Sequence, residues 1–387
     1  MRTASVYVHF PYCLEKCPYC DFVSYKTERE HIDHEGYANA VVDELRARRR
    51  QLDAAWTEHP VRSVFFGGGT PSLWEPASLG RVLHAVRDAF RTTDDFEVTV
   101  ECNPTSLDVE RARRLRDVGV NRLSIGTQSL RNDQLRFLGR LHDDDGARRA
   151  VTGALSVEGI RVSTDMIFGL PGQTPEDARA QARELADLGL RHLSCYQLTI
   201  ESGTRFGELA RRGRLPLADE GHVAESFLAI DEELATHGLA HYEISNYAAP
   251  GQESLHNLAY WHGDEYVGLG VGAYGFVRSP RATRTRNEVD PARYVANASD
   301  LGRITSSSEE LDGEALLRER IMLGLRLAEG FDLGEAAAEL GVDPFPPARE
   351  DELRKLVARG RVARDGTRLR IPKEAWLLTD DTVARLF

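Results

Sequence analysis

The sequence predicts an α/β fold: a partial, TIM-like (β/α)6 barrel over residues 1–305, followed by a small, mostly helical, winged-helix-like domain over residues 306–387. Three observations predict it. Stretches rich in β-branched and aromatic residues alternate with stretches of helical apolar spacing, which is how βαβ units and a parallel sheet read in sequence. Clustered cysteines, a glycine run and several isolated polar residues fall at or just past the ends of the predicted strands, where a (β/α) barrel gathers its functional groups on one rim. Beyond Ser306–Ser308 the alternation gives way to three helices and a hairpin.

Ser5–Phe10 is the first strand, and it runs straight into a loop carrying Cys13, Cys17 and Cys20. Tyr37–Leu52 reads as an amphipathic helix, with Tyr37, Val41, Leu45 and Leu52 on or near one face. The strand Val61–Phe66 ends in Gly67-Gly68-Gly69-Thr70-Pro71, after which Leu79–Phe90 regains helical spacing. Strands are then expected over Phe96–Cys102, Arg122–Thr127, Arg161–Phe168 and His192–Ile200, with helices over Asp108–Val118, Asp143–Gly153 and Thr174–Leu188 between them. A longer helix, Asp219–His237, precedes a further strand at His241–Tyr247 and a glycine-rich segment. The C-terminal part holds helices over Glu314–Leu327, Leu333–Leu340 and Arg349–Arg359, and Asp365-Gly366 marks a hairpin within Arg361–Ile371.

At 387 residues and 41% apolar content, the chain can bury one large core and one small one. No run of about eighteen uninterrupted apolar residues suggests a spanning helix, and the first residues carry no basic-then-apolar targeting pattern, so a cytoplasmic protein is expected. A net charge of −12 argues against nucleic-acid binding, because the polyanion would be repelled by the overall field. Two local basic stretches, Arg46–Arg50 and Arg278–Arg286, stand against that trend, either as solvated surface or as contacts for an anionic ligand.

Five cysteines, an odd number, in a chain read as cytoplasmic point to metal rather than disulfides. Structural zinc ordinarily takes four closed ligands, and Cys102 and Cys195 lie far along the chain inside apolar, strand-like runs. Three thiolates in eight residues suit a 4Fe–4S cluster with one iron left open, since soft sulfur ligands favour iron–sulfur sites. Gly67–Thr70 offers bare backbone to a ligand, although a glycine turn between strand and helix is often only a turn. Glu101, in Val100-Glu101-Cys102-Asn103-Pro104, can accept two hydroxyl hydrogen bonds or serve as an ordinary cap or surface carboxylate.

The Cys-x3-Cys-x2-Cys spacing resembles the signature of radical S-adenosylmethionine (SAM) enzymes. Tyr7-Val8-His9-Phe10-Pro11-Tyr12-Cys13 followed by Cys17-Pro18-Tyr19-Cys20-Asp21-Phe22 is similar to the oxygen-independent coproporphyrinogen III oxidase family (HemN type), and above all to its haem-chaperone branch (HemW type). The resemblance runs along almost the whole chain. It implies a 4Fe–4S cluster on Cys13, Cys17 and Cys20, whose open iron is chelated by the amino and carboxylate groups of SAM. It places Tyr7 and Gly67, Gly68, Gly69 and Thr70 near the methionyl end of SAM, and Glu101 on the ribose. Gln128, Arg140 and Asp165 match further nucleoside contacts, some of which serve a second SAM in the oxidases; Tyr19 and Phe22 count with the cofactor-binding residues. The chemistry implied is reductive cleavage of SAM to methionine and a 5′-deoxyadenosyl radical.

Two departures separate the chain from the oxidases. Their fourth cysteine, two residues after the third, is Phe22 here, and their long N-terminal extension has no counterpart before Ser5. His256-Asn257-Leu258-Ala259-Tyr260-Trp261 matches the H-N-x-x-Y-W motif associated with haem in the chaperone branch. Histidine beside two aromatics is commonly structural; the motif implies instead that His256 or Tyr260 ligates haem iron while Tyr260 and Trp261 pack on the porphyrin. The resemblance therefore implies a carrier of cluster, SAM and haem that passes haem to an acceptor protein, with any membrane association peripheral and through that acceptor. The alternatives are a coproporphyrinogen III oxidase, a radical SAM methyltransferase or cyclopropanase, and a binding module with an inert cluster.

Overall fold

Six parallel strands stand side by side in chain order: Ala4–Phe10 (β1), Val61–Gly68 (β2), Thr92–Cys102 (β3), Arg122–Gln128 (β4), Arg161–Phe168 (β5) and His192–Gln197 (β6). They come from a computed structural model, which describes residues 3–52, 56, 58–278 and 281–387. The connections carry helices His34–Gln51 (α1), Pro76–Ala89 (α2), Val109–Asp117 (α3), Asp144–Leu155 (α4) and Pro175–Asp187 (α5), and Glu220–Thr236 (α6) follows β6. The starts expected at Asp108, Asp143, Thr174 and Asp219 fall on the observed caps, whereas α1 and α2 begin three residues before the expected Tyr37 and Leu79. Asp33, Asp108, Asp143, Thr174 and Asp219 each accept a hydrogen bond from the backbone N–H three residues on.

The sheet is larger than the six expected strands. Beyond β6 it gains the antiparallel pair Ala240–Glu243 (β7) and Asn246–Ala248 (β8). On the other side Glu265–Gly270 (β9) pairs in parallel with β1 and is followed by Tyr274–Val277 (β10), Thr283–Asn287 (β11) and Thr305–Glu310 (β12), all antiparallel. The full order is β12-β11-β10-β9-β1-β2-β3-β4-β5-β6-β8-β7. The single strand expected over His241–Tyr247 is thus two arms of a hairpin that turns at Ile244-Ser245. Both arms carry strand-forming residues, so they read as one run. The glycine-rich segment is sheet because glycine is needed there: a side chain at Gly268 would collide with the carbonyl of Tyr274 on the neighbouring strand.

Strand alternation divides two environments. Val64, Phe66, Val98, Val100, Leu123 and Leu193 face the helices and are wholly buried in the main core. The opposite face turns polar residues into the barrel, among them Ser5, Ser63, Glu97, Arg122, Ser124, Asp165 and Ser194, and several bond across strands: Ser63 Oγ donates to Ser5 Oγ at 2.9 Å, and Ser163 Oγ to Ser124 Oγ at 3.1 Å.

The C-terminal part has its own core, built from Leu317, Ile321, Leu333, Leu353, Leu356, Leu369 and Trp376. It contains helices Gly313–Gly324, Leu333–Leu340 and Pro347–Ala358 and the hairpin Ala363–Asp365/Arg368–Arg370, whose second arm also pairs with Phe331–Asp332. The boundary expected between residues 305 and 306 falls inside β12. The basic stretches are largely absorbed by local carboxylates, with Arg46 on Asp43, Arg48 on Glu44, Arg281 on Glu310 and Arg284 on Glu319; positions 279 and 280 lie outside the described residues. Among the described residues no helix is long and apolar enough to cross a membrane.

Candidate functional site

The loop after β1 is held in place before any ligand is considered. Tyr12–Cys13 pairs with Tyr25–Lys26, the Cys20 N–H bonds the Cys17 carbonyl at 3.1 Å, and Lys16 Nζ reaches the carbonyl of Phe22 at 3.1 Å. The glycine turn after β2 docks on its stem: Gly69 N–H donates to Phe10 O at 2.7 Å and Thr70 N–H to Tyr12 O at 2.9 Å. Gly69 has no room for a side chain, since a Cβ would sit 2.7 Å from the carbonyl oxygen of Tyr12. Gly68, at φ +107°, is in the left-handed region, and a Cβ there would strike the imidazole of His9.

His9 itself is a strut. Its Nε2 meets the carbonyl of Val23 at 2.7 Å and so carries the proton, which leaves Nδ1 to accept from the Tyr7 hydroxyl at 2.9 Å. Burial pushes its pKa down to about 4, so the ring is neutral and the relay keeps this sense at ordinary pH.

These segments enclose one cavity at the C-terminal rim of the barrel. Cys13, Cys17, Tyr19, Cys20, Phe22, Gly68, Gly69, Thr70, Glu101, Gln128, Arg140 and Asp165 all line it. Cys102, expected to be remote, also reaches its wall, with Sγ turned to the carbonyl of Val100 at 3.5 Å. Thr70 Oγ1 donates to Cys13 Sγ at 3.3 Å; Arg140 donates from Nη1 to Cys17 Sγ at 3.2 Å and from Nη2 to Gly126 O at 2.9 Å. Gln128 has φ +66°, a conformation that costs a residue with a side chain and that no other non-glycine residue adopts among the described residues. Glu101 Oε2 accepts from Gly68 N–H at 3.0 Å, and burial reinforced by Asp165 raises its pKa to about 8. Asp165 is raised as well, chiefly by burial, with Ser124 Oγ 3.3 Å from Oδ1.

A second chamber lies further inside the barrel and is continuous with the first through Phe22, Gly68, Glu101, Ser124 and Asp165. Its other lining residues are Tyr7, Phe65, Arg122, Ser194, Tyr196, His256, Asn257 and Tyr260. The helix Leu255–Trp261 (α7) enters there on a buried carboxylate, because Glu97 accepts from the N–H groups of Leu255 at 3.2 Å and His256 at 3.1 Å. His256 is only 1% exposed, stacks on Phe65 at 4.9 Å and takes the Tyr260 ring edge-on at 4.9 Å. Its Nδ1 lies 2.8 Å from Ser63 Oγ, whose hydrogen already goes to Ser5, so Nδ1 carries the proton and the Nε2 lone pair has no partner. Trp261, at the end of α7, is not among the residues lining the chamber.

The residues fit the chemistry that the cysteine spacing suggested. Burial lifts the Cys13 thiol and raises Cys20 to about 11, so both become thiolates only when a metal's charge replaces their protons. Among the described residues no three His, Cys, Asp or Glu side chains converge on one point, as a single ion needs. A cubane asks for something else, one thiolate for each of three irons along the loop.

Comparison with known proteins agrees with this geometry. Residues 7–185 match the model of the radical SAM superfamily, and residues 311–378 that of the HemN C-terminal domain. A protein of Mycobacterium tuberculosis named "Heme chaperone HemW" is 34% identical over 382 residues, covering 98% of this chain and 94% of the relative. Its namesake in Bacillus subtilis is 33% identical over 338 residues, 87% of each chain. The chain belongs to the radical SAM HemN/HemW family. The solved coproporphyrinogen III oxidase HemN of Escherichia coli has the same fold, with a TM-score of 0.82 at 20% identity over 100% of this chain and 90% of that one. Membership of the radical SAM superfamily brings a 4Fe–4S cluster and SAM as cofactors.

Sequence reasoning missed Arg122, Ser124, Ser194 and Tyr196, which form much of the inner chamber. A signal was available. Polar residues at every second position of strands with apolar alternate positions mark a polar barrel interior, whereas a packed barrel is filled with branched apolar side chains.

Proposed function

We propose that this protein is a cytoplasmic radical SAM haem chaperone, with a barrel domain that ends at β12 and a HemN-type domain over the helices and hairpin beyond it. Cys13, Cys17 and Cys20 hold the 4Fe–4S cluster. Gly67–Thr70 and Tyr7 receive the methionyl end of SAM, Glu101 the ribose, and Gln128, Arg140 and Asp165 the nucleoside. When bound, cluster and SAM supply a 5′-deoxyadenosyl radical on reduction. The chain's own contribution is orientation: the glycine turn is pinned to the cysteine loop, and Thr70 and Arg140 donate to the cysteine sulfurs. Haem is the cargo, passed to an acceptor protein.

The observation that carries the chaperone reading is likeness along nearly the whole chain to relatives named as haem chaperones, together with Phe22 where the oxidase motif has a fourth cysteine. The test is a haem titration of anaerobically purified, cluster-reconstituted protein. A saturable Soret band that stays with the protein through gel filtration is expected, with the cluster absorbance intact. Haem lost on the column at every loading would contradict the proposal.

A further inference from the structure

Arg122 is an uncommon residue in its setting. It is the first residue of β4, turned into the barrel, 3% exposed, and it lines the inner chamber. Among the described residues its guanidinium makes neither a hydrogen bond nor an ion pair, although Glu101 and Asp165 border the same chamber. Its charge is met only across the chamber, by Glu101 and Asp165 without a hydrogen bond to either, so the donors of an arginine fork, shaped for a carboxylate, stay unused. The surroundings have further unmet capacity. Thr99, which pairs with Arg122 in the sheet, has an unsatisfied hydroxyl, and His256 Nε2 has no partner. Ser194 and Tyr196 add hydroxyl groups to the wall. Of the two acids, Glu101 is pushed up to about 8 by burial and so opposes an incoming anion little at neutral pH; Asp165 is raised by burial and drawn back by Arg122 and Arg140. At the chamber's edge the lining includes two exposed aromatic side chains, Phe22 at 57% and Tyr196 at 39%.

We propose that the inner chamber is a carboxylate subsite centred on Arg122, and that it takes a propionate of haem while Phe22 and Tyr196 hold the edge of the macrocycle. The inference rests on the haem reading above. The same carboxylate chemistry is offered by the methionyl group of SAM, so the test has an arm for each source. Haem, haem dimethyl ester and SAM are titrated separately into reconstituted wild type and into Arg122→Gln. Wild type should bind the free acid about tenfold or more tightly than the ester, the variant should lose most of that preference, and its SAM affinity should be unchanged. Arg122→Lys keeps the charge and should retain part of the preference, which separates recognition from misfolding; thermal melts accompany both variants.

A preference that survives in Arg122→Gln overturns the subsite. Loss of SAM affinity with the acid–ester preference intact overturns the propionate assignment in favour of the methionyl carboxylate. Equal binding of acid and ester by wild type overturns the subsite but leaves the haem reading standing, whereas no binding of either porphyrin by wild type removes the haem reading and the subsite with it.

Discussion

The rim and the floor of the barrel were both announced by motifs, yet the structure treats them differently. At the rim, residues from five separate segments, Cys13 to Phe22, Gly68 to Thr70, Glu101, Gln128 with Arg140, and Asp165, meet around one cavity whose three loop cysteines are partly exposed. On the floor, His256 is enclosed by Phe65 and Tyr260 and tied to Ser63, with only its Nε2 unpaired. A rim motif can meet a cofactor as it stands. A floor motif is first a piece of packing, and a ligand meets it only in the inner chamber that His256 and Tyr260 line.

The largest expected effect breaks the rim. Cys13→Ala, Cys17→Ala or Cys20→Ala should each purify nearly free of iron, because a cubane on two thiolates is not retained. Iron analysis and the visible spectrum check this, and Cys102→Ala and Cys195→Ala, whose parent thiols are buried, should keep full cluster content.

Next comes the turn. Gly68→Val forces a β-branched side chain into a left-handed backbone and against the His9 ring, so SAM affinity by calorimetry should fall at least about tenfold while iron is retained. Unchanged affinity would mean that the turn only closes the loop.

On the floor the effect should be on stability. His256→Ala removes a buried ring and leaves Ser63 short of a donor, at a cost of about 2 kcal/mol, seen as a lowered Tm. If His256 also ligates iron, the Soret band of the haem-loaded variant moves; if it only packs, the band stays while Tm falls.

The smallest effect is a pH dependence at the junction of the two regions. Glu101 is about 8 in the fold and near 4.5 when unfolded, so the folded state binds the extra proton between those values. Its contribution is complete at acid pH and is lost as pH rises through about 8. Melts of the apo protein should therefore show a decline between about pH 4.5 and 8, levelling off above it, that Glu101→Gln flattens.

Why the rim was legible and the floor less so follows from chain geometry. Strand ends carry loops, and loop residues such as Cys13, Gly68 and Gln128 stand out against apolar strands. The capping residues Asp108, Asp143, Thr174 and Asp219 likewise stand where helices were expected to start. Arg122 and Ser194, by contrast, are single inward positions inside strands, conspicuous only once neighbouring strands bring them together. The outer strands β9 to β12 were missed for a related reason. Gly268 and Gly275 are there because backbones approach closely, and glycine in sequence reads as a break.

The account's central claim is that the barrel carries haem rather than oxidising its precursor. Reconstituted protein given SAM and a low-potential reductant should leave coproporphyrinogen III unreacted over hours, while the same preparation binds haem and retains it through gel filtration. Catalytic formation of protoporphyrinogen, with no haem retained, would contradict the claim and make this chain an oxidase that works with Phe22 in place of the fourth cysteine.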